Sequence, residues 1–88
     1  MRTAFRKSFA RDLKKIMDKG ILERVAEIVE EVEDADSLQE ISNLKKMSGA
    51  DHYYRIRIGD YRIGIAVEGD TVEFVRCLSR RDLYRYFP

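Results

Sequence analysis

Cysteine and histidine are nearly absent from this chain: Cys77 and His52 stand alone among 88 residues. A single thiol excludes an intrachain disulfide and fits a reducing compartment. One Cys and one His do not make a zinc site of the usual kind, so neither a metal nor another cofactor is expected. Cys77 lies in an apolar alternation and reads as a small buried hydrophobe in a strand. Glycine is sparse too. Gly59, Gly64 and Gly69 fall at strand turns or inside a strand, so no phosphate-cradling loop links a strand to a helix. No apolar run approaches the ~20 residues that span a bilayer. The N-terminal "MRTAFRKSFARDLKK" lacks the apolar stretch of a secretory signal. A soluble, cytoplasmic chain without a membrane partner is expected. Repeats, linkers and low-complexity tracts are missing as well, and residues 1–88 read as one domain.

What is present argues for a folded core. The chain is 44% hydrophobic and 10% aromatic, too apolar for disorder despite its many charges. Its net charge of +1 is unevenly spread: residues 1–44 carry −2 and residues 45–88 carry +3. Seven of the nine cations in the second half are arginine, the residue suited to bidentate contact with phosphate. This points to a local anion site rather than a wholly basic domain.

Apolar periodicity predicts the elements. "RTAFR" reads as a first strand, and Ser8 as the N-cap of a helix carrying Phe9, Leu13, Ile16 and Met17 on one stripe, stopped at Gly20. A second helix over residues 21–33 shows Leu22, Val25, Ala26, Val29 and Val32 to the core, with its glutamates as a solvated face. "DADSLQEISNLKKMSGADHY" reads as a connector with one helical turn begun by Ser37. Strands follow over residues 53–58, 61–68 and 71–78, punctuated by Gly59-Asp60 and Gly69-Asp70. The order β-α-α-β-β-β predicts an α+β domain with a helical hairpin packed on one face of a mostly antiparallel sheet.

The hairpin "YRIRIGDYRIGIAV" carries the functional question. A two-residue Gly59-Asp60 loop sets Arg57 opposite Arg62, Ile56 opposite Ile63 and Arg55 opposite Gly64. Tyr54, Ile56, Ile58, Tyr61, Ile63, Ile65 and Val67 then share the helix-covered face, and Arg55, Arg57 and Arg62 share the other. Like charges directly opposite are destabilising, which an anionic partner would offset. In the third strand of this set Val72, Phe74 and Leu78 fall on the core face. Arg76 falls there too, a misfit that a frayed edge or a bulge would absorb. Beyond it "SRRDLYRYFP" interleaves Arg80, Arg81 and Arg85 with Tyr84, Tyr86 and Phe87. Stacking rings beside phosphate-neutralising charge suit single-stranded nucleic acid; the alternative is a solubilising face with aromatics capping the core.

The element order and the stretch "NLKKM…YYRIRIGDYRIGIAV…VEFVRCLSRRDLYR" resemble the RelE/ParE superfamily of bacterial and archaeal toxins, over nearly the whole chain. The resemblance implies a small toxin of a type II toxin-antitoxin pair, masked by a cognate antitoxin. RelE-like members cleave mRNA in the ribosomal A site without metal; ParE-like members inhibit DNA gyrase. A RelE-like endoribonuclease is expected first, a ParE-like gyrase inhibitor or a catalytically degenerate antitoxin-binding member as alternatives. By this resemblance Arg62 holds the scissile phosphate, Arg81 assists the leaving group, and Lys45, with Lys46 beside it, binds the RNA backbone. Arg55 and Arg57 stand where RelE carries two lysines implicated in activating the nucleophile, and arginine effectively cannot lose its proton. Phe87 stands at the family's catalytic C-terminal tyrosine, leaving Tyr84 and Tyr86 as candidates for that hydroxyl. Arg80 and Arg85 join the RNA-binding set. His52, the one imidazole, reads as a loop residue.

Overall fold

The computed structural model describes residues 1–49 and 51–88; Ala50, within the expected connector, lies outside the described residues. The elements run β1 (Arg2–Phe5), α1 (Lys7–Lys15), α2 (Lys19–Asp34), a 3-10 turn (Leu38–Glu40), β2 (Leu44–Lys46), β3 (Tyr53–Ile58), β4 (Tyr61–Glu68), β5 (Thr71–Ser79) and α3 (Arg80–Tyr86). The sheet order is β1-β5-β4-β3-β2, with β1 parallel to β5 and the other neighbours antiparallel. The α+β expectation holds, with two additions. The connector contributes the short edge strand β2, and the C-terminal segment forms α3.

The β3–β4 hairpin has the register its turn dictates: Ile58 pairs with Tyr61, Arg57 with Arg62 and Arg55 with Gly64. Gly59 and Gly69 take φ of +58° and +57°, which glycine adopts without a Cβ penalty. One core lies between the sheet and α1 and α2, where Ile56, Ile58, Ile63, Ile65, Val72 and Phe74 meet Phe9, Ile16, Val25 and Ile28. Leu13, Val29 and Val67 pack against it half-buried.

The helix boundaries differ from those the pattern suggested. α1 ends at Lys15, before Gly20 is reached, and Asp18 starts α2, its carboxylate accepting from the N–H groups of Gly20 and Ile21. Gly20 is therefore inside α2, Met17 is 91% exposed in the link, and Ala26 faces solvent while Ile28 takes the core position. Ser37 does precede one turn of 3-10 helix.

Ser8 is not the N-cap of α1. Its hydroxyl instead donates to the Val75 carbonyl at 2.6 Å. That carbonyl belongs to a bulge: Ile65 pairs with Phe74 and Gly64 with Arg76, leaving Val75 unmatched on β4. The extra residue inverts which side chains face the helices. Cys77 turns into the first core, and Leu78, expected there, lies with Val75 on the opposite face. Arg76, back in the ladder opposite Gly64, grips Asp12 of α1 through Nε at 2.7 Å and Nη2 at 3.2 Å. Asp12 also accepts the Cys77 N–H at 3.0 Å, so α1 is stitched to the bulge by a buried carboxylate. Of the two options for Arg76, the bulge holds: it follows the unmatched Val75, and its charge is matched by Asp12.

The second sheet face is not bare. Leu83 and Phe87 of the C-terminal segment pack there with Met47, Tyr53, Val75 and Leu78 as a second, smaller core. Helices therefore cover both faces, α1 and α2 on one and the short α3 on the other. Among the described residues no helix is long and apolar enough to cross a membrane.

Candidate nucleic-acid interface

Arg62 is the centre of the second face beside α3. Its backbone position in β4 turns it away from the first core, yet the residue is only 8% exposed. Nη1 donates to the carbonyls of Gly59 at 2.8 Å and Tyr61 at 2.9 Å, which fold the guanidinium back over the hairpin turn. Nε is buried with no hydrogen-bond partner, and the same is true of Nε of Arg55. Two buried, unfilled guanidinium donors on adjacent strands are costly in a free protein and are natural ligands for an oxyanion.

The charges around Arg62 are mainly cationic. Burial pushes its pKa down first and Arg55 next; the Tyr84 phenol opposes them, and Arg57 and Arg80 add smaller downward pushes. Among the described residues the ion pairs are Arg6–Glu73, Arg24–Glu27 and Asp12–Arg76, so no carboxylate neutralises this cluster. Arg55 pairs across β2–β3 with Lys45, and its Nη1 makes only a long 3.4 Å contact to the Asn43 carbonyl. Lys45, Lys46, Arg55 and Tyr84 line one small cleft with Met47 and Ser48. The structure thus brings Lys45, Lys46, Arg55, Arg57, Arg62, Arg80 and Tyr84 into one neighbourhood.

The faces of α3 sort the remaining candidates. Ser79 caps the helix by accepting the Asp82 N–H, and Leu83 is turned into the second core. Tyr84 stands on the flank towards Arg55, lining the same cleft, and the Arg80 N–H is tied to the Asp60 carbonyl in the hairpin turn beside Arg62. Tyr86 lies on the opposite flank, lining a cleft with Asp12, Ile16, Tyr61 and Arg76. Arg85 stacks over the Tyr86 ring at 5.8 Å. Arg81 and Arg85 are exposed, and it is Arg80 rather than Arg81 whose charge reaches Arg62. Phe87 is buried against the strand and occupies a packing position. His52 is exposed and lies tilted against Tyr53, ring centroids 4.3 Å apart, lining a different depression with Ala4, Glu68 and Glu73.

Sequence patterning alone missed α3 and the side it presents. The signal was there: Ser79 followed three residues on by Asp82 resembles a capping pair, and Leu83 and Phe87 are spaced i, i+4. Chemically, the cluster can bind and stabilise a phosphate that gains negative charge, beside one exposed phenol able to give or accept a proton.

Comparison with known proteins gives the family and the fold. Residues 4–84 match the family model described as ParE toxin of type II toxin-antitoxin system, parDE. The chain is 45% identical to toxin RelE3 of Methanocaldococcus jannaschii over 89 aligned positions, covering the whole of both proteins. The fold superposes on the RelB-RelE antitoxin-toxin complex from Methanococcus jannaschii with TM-score 0.83 and 45% identity, over 97% of this chain and 99% of that one. The YoeB dimer from Staphylococcus aureus, at 19% identity, shares the fold with TM-score 0.73 over 91% of this chain and 97% of that one.

Proposed function

This chain belongs to the RelE/ParE family of toxins of type II toxin-antitoxin systems, and from that premise we propose that it is a metal-independent endoribonuclease acting on ribosome-bound mRNA. The observation that carries this reading is Arg62, buried with an unfilled Nε among Arg55, Arg57 and Arg80, with no carboxylate against them among the described residues.

The reaction is attack of a ribose 2′-oxygen on the adjacent phosphorus, breaking the P–O5′ bond and leaving a 2′,3′-cyclic phosphate and a 5′-hydroxyl. Charge accumulates on the non-bridging oxygens in the transition state. Arg62 and Arg55, already oriented and partly desolvated, stabilise it without reorganising. Arg57 reaches the same phosphate from the facing strand. Tyr84, lining the cleft with Arg55, protonates the departing O5′. The 2′-hydroxyl proton goes to solvent water, since no arginine in the cluster can accept it. Lys45, Lys46 and Arg80 hold flanking phosphates, and Arg81 and Arg85 extend the positive surface along α3. Tyr86 and His52 take no part in this site. A cognate antitoxin binds and masks the toxin; the related RelB-RelE structure, an antitoxin-toxin complex, supports such a partner.

Primer extension on ribosome-bound mRNA with purified protein tests the reading. The wild type cuts within the A-site codon, and Arg62→Ala, folded by circular dichroism, does not. Full cleavage by Arg62→Ala would sink the phosphate assignment. Because the matching family model is that of ParE, a gyrase supercoiling assay runs beside it. Intact mRNA with inhibited gyrase gives the ParE-like activity instead.

A further inference from the structure

The groups of the candidate site come from two separate bodies. Arg55, Arg57 and Arg62 belong to the sheet, whereas Arg80 and Tyr84 ride on α3. That helix has seven residues, too short to hold its own shape or position in water. Its start is tied to the hairpin turn, where the Arg80 N–H donates to the Asp60 carbonyl at 2.9 Å. Its end is tied by one ring. Phe87, 5% exposed, lies on the bare backbone of Gly64, and a Cβ built at that glycine would come within 2.9 Å of three atoms of the ring. The ring also meets Tyr53 edge-on, at 5.4 Å and 85°. Gly64 is outside the left-handed region, so it is space and not backbone conformation that requires glycine there. Gly64 is also the cross-strand partner of Arg55 and two residues along from Arg62.

We propose that Gly64 and Phe87 are positioning residues: the ring seated on the uncovered strand sets the height and rotation of α3, and so brings Tyr84 and Arg80 to Arg62. This rests on the reading of the arginine cluster as the RNA site. Tyr84 precedes Phe87 by three residues, close to one turn, so a lift of the ring is transmitted directly to the phenol. A methyl at residue 64 forces that lift, because the flat ring pinned against Tyr53 has nowhere to retreat within the plane of the sheet.

The test uses Gly64→Ala, Phe87→Leu and the double variant. Gly64→Ala lowers kcat for mRNA cleavage by about 10²-fold, the scale expected for a displacement near 1 Å, with KM changed far less. Phe87→Leu, which removes the flat ring, accepts the added methyl, so the double variant cleaves faster than Gly64→Ala alone. In a Tyr84→Phe background Gly64→Ala costs about threefold or less, because the two changes remove the same contribution. A mere loss of packing predicts none of this rescue or non-additivity. A second readout needs no activity: the Arg62 Nε–H proton resonance moves in Gly64→Ala and returns in the double variant. If that resonance is unmoved by Gly64→Ala, or if the effects simply multiply with no rescue, the proposal is overturned. If the resonance moves and returns while wild-type protein cleaves no RNA, the nuclease reading fails and the positioning role stands.

Discussion

Asp12→Leu is the substitution whose effect can be worked furthest from the geometry. Asp12 is 6% exposed and accepts three hydrogen bonds, two from Arg76 and one from the Cys77 N–H. Leucine keeps the branching at Cγ and is larger than aspartate, so no cavity is left and the loss worked from the geometry is electrostatic. Removing one partner of a buried pair costs about 3–5 kcal/mol. The Arg76 side chain is 28% exposed and can rehydrate in part, which sets the expectation near the lower limit, about 3 kcal/mol. The Cys77 N–H is buried and cannot rehydrate, so the cost stays well above zero. Against a total stability of about 5–15 kcal/mol, such a loss is large. Unfolding in urea reads it directly: with a slope of about 1 kcal/mol per molar for a small domain, the midpoint falls by roughly 2–3 M. The melting temperature drops by about 12–24 °C on the usual scaling for this size. Adding Arg76→Met removes the stranded charge and recovers most of the loss, since an apolar pair can replace a buried ion pair at little cost. A single variant within about 0.5 M of wild type, or a double variant no better than the single, would refute the idea that this carboxylate stitches α1 to the bulge.

The Cys77 thiol is pushed up to about 12, first by burial and then by the Asp12 charge, from an ordinary 9.0. The unfolded thiol ionises first as pH rises, so this contribution is complete below pH 9.0 and is lost towards about 12. Within that window wild type loses about 1.4 kcal/mol per pH unit more than Cys77→Ala in urea titrations, and equal slopes would refute it. Tyr84→Phe slows mRNA cleavage by about 10²- to 10⁴-fold and Tyr86→Phe leaves it nearly unchanged, because only Tyr84 stands beside Arg62. The reverse ranking in single-turnover cleavage would move the proton donor to the other flank of α3. Lys45→Ala lowers the salt dependence of binding to a short single-stranded RNA by about 0.7 in log–log slope, one phosphate contact; an unchanged slope would remove Lys45 from the interface.

The β3–β4 hairpin was legible from its residues alone. Glycine at 59 with a two-residue loop sets the partner of every strand residue, and the alternation after it decides which face each takes. The same alternation identified the six strand residues at the heart of the first core, and the resemblance of the motifs placed the chain in its family. These are local properties, written within a few residues of one another. Other features depend on contacts between distant segments. The bulge at Val75 is held by Ser8, 67 residues away, and by Asp12, which grips Arg76 from 64 residues away, so β5 alone could not reveal that Leu78 turns outward. A one-residue insertion reverses every later side chain, and only the packed partner decides whether it occurs. Likewise, arginine in a hydrophilic alternation reads as exposed, and only the tertiary structure shows Arg62 buried and folded back over the hairpin turn. Tyr84 and Tyr86 are two residues apart and chemically identical in sequence. The seating of Leu83 and Phe87 on the sheet turned one phenol towards the arginines and the other away, because a helix fixed by one apolar stripe has its remaining faces assigned by rotation alone.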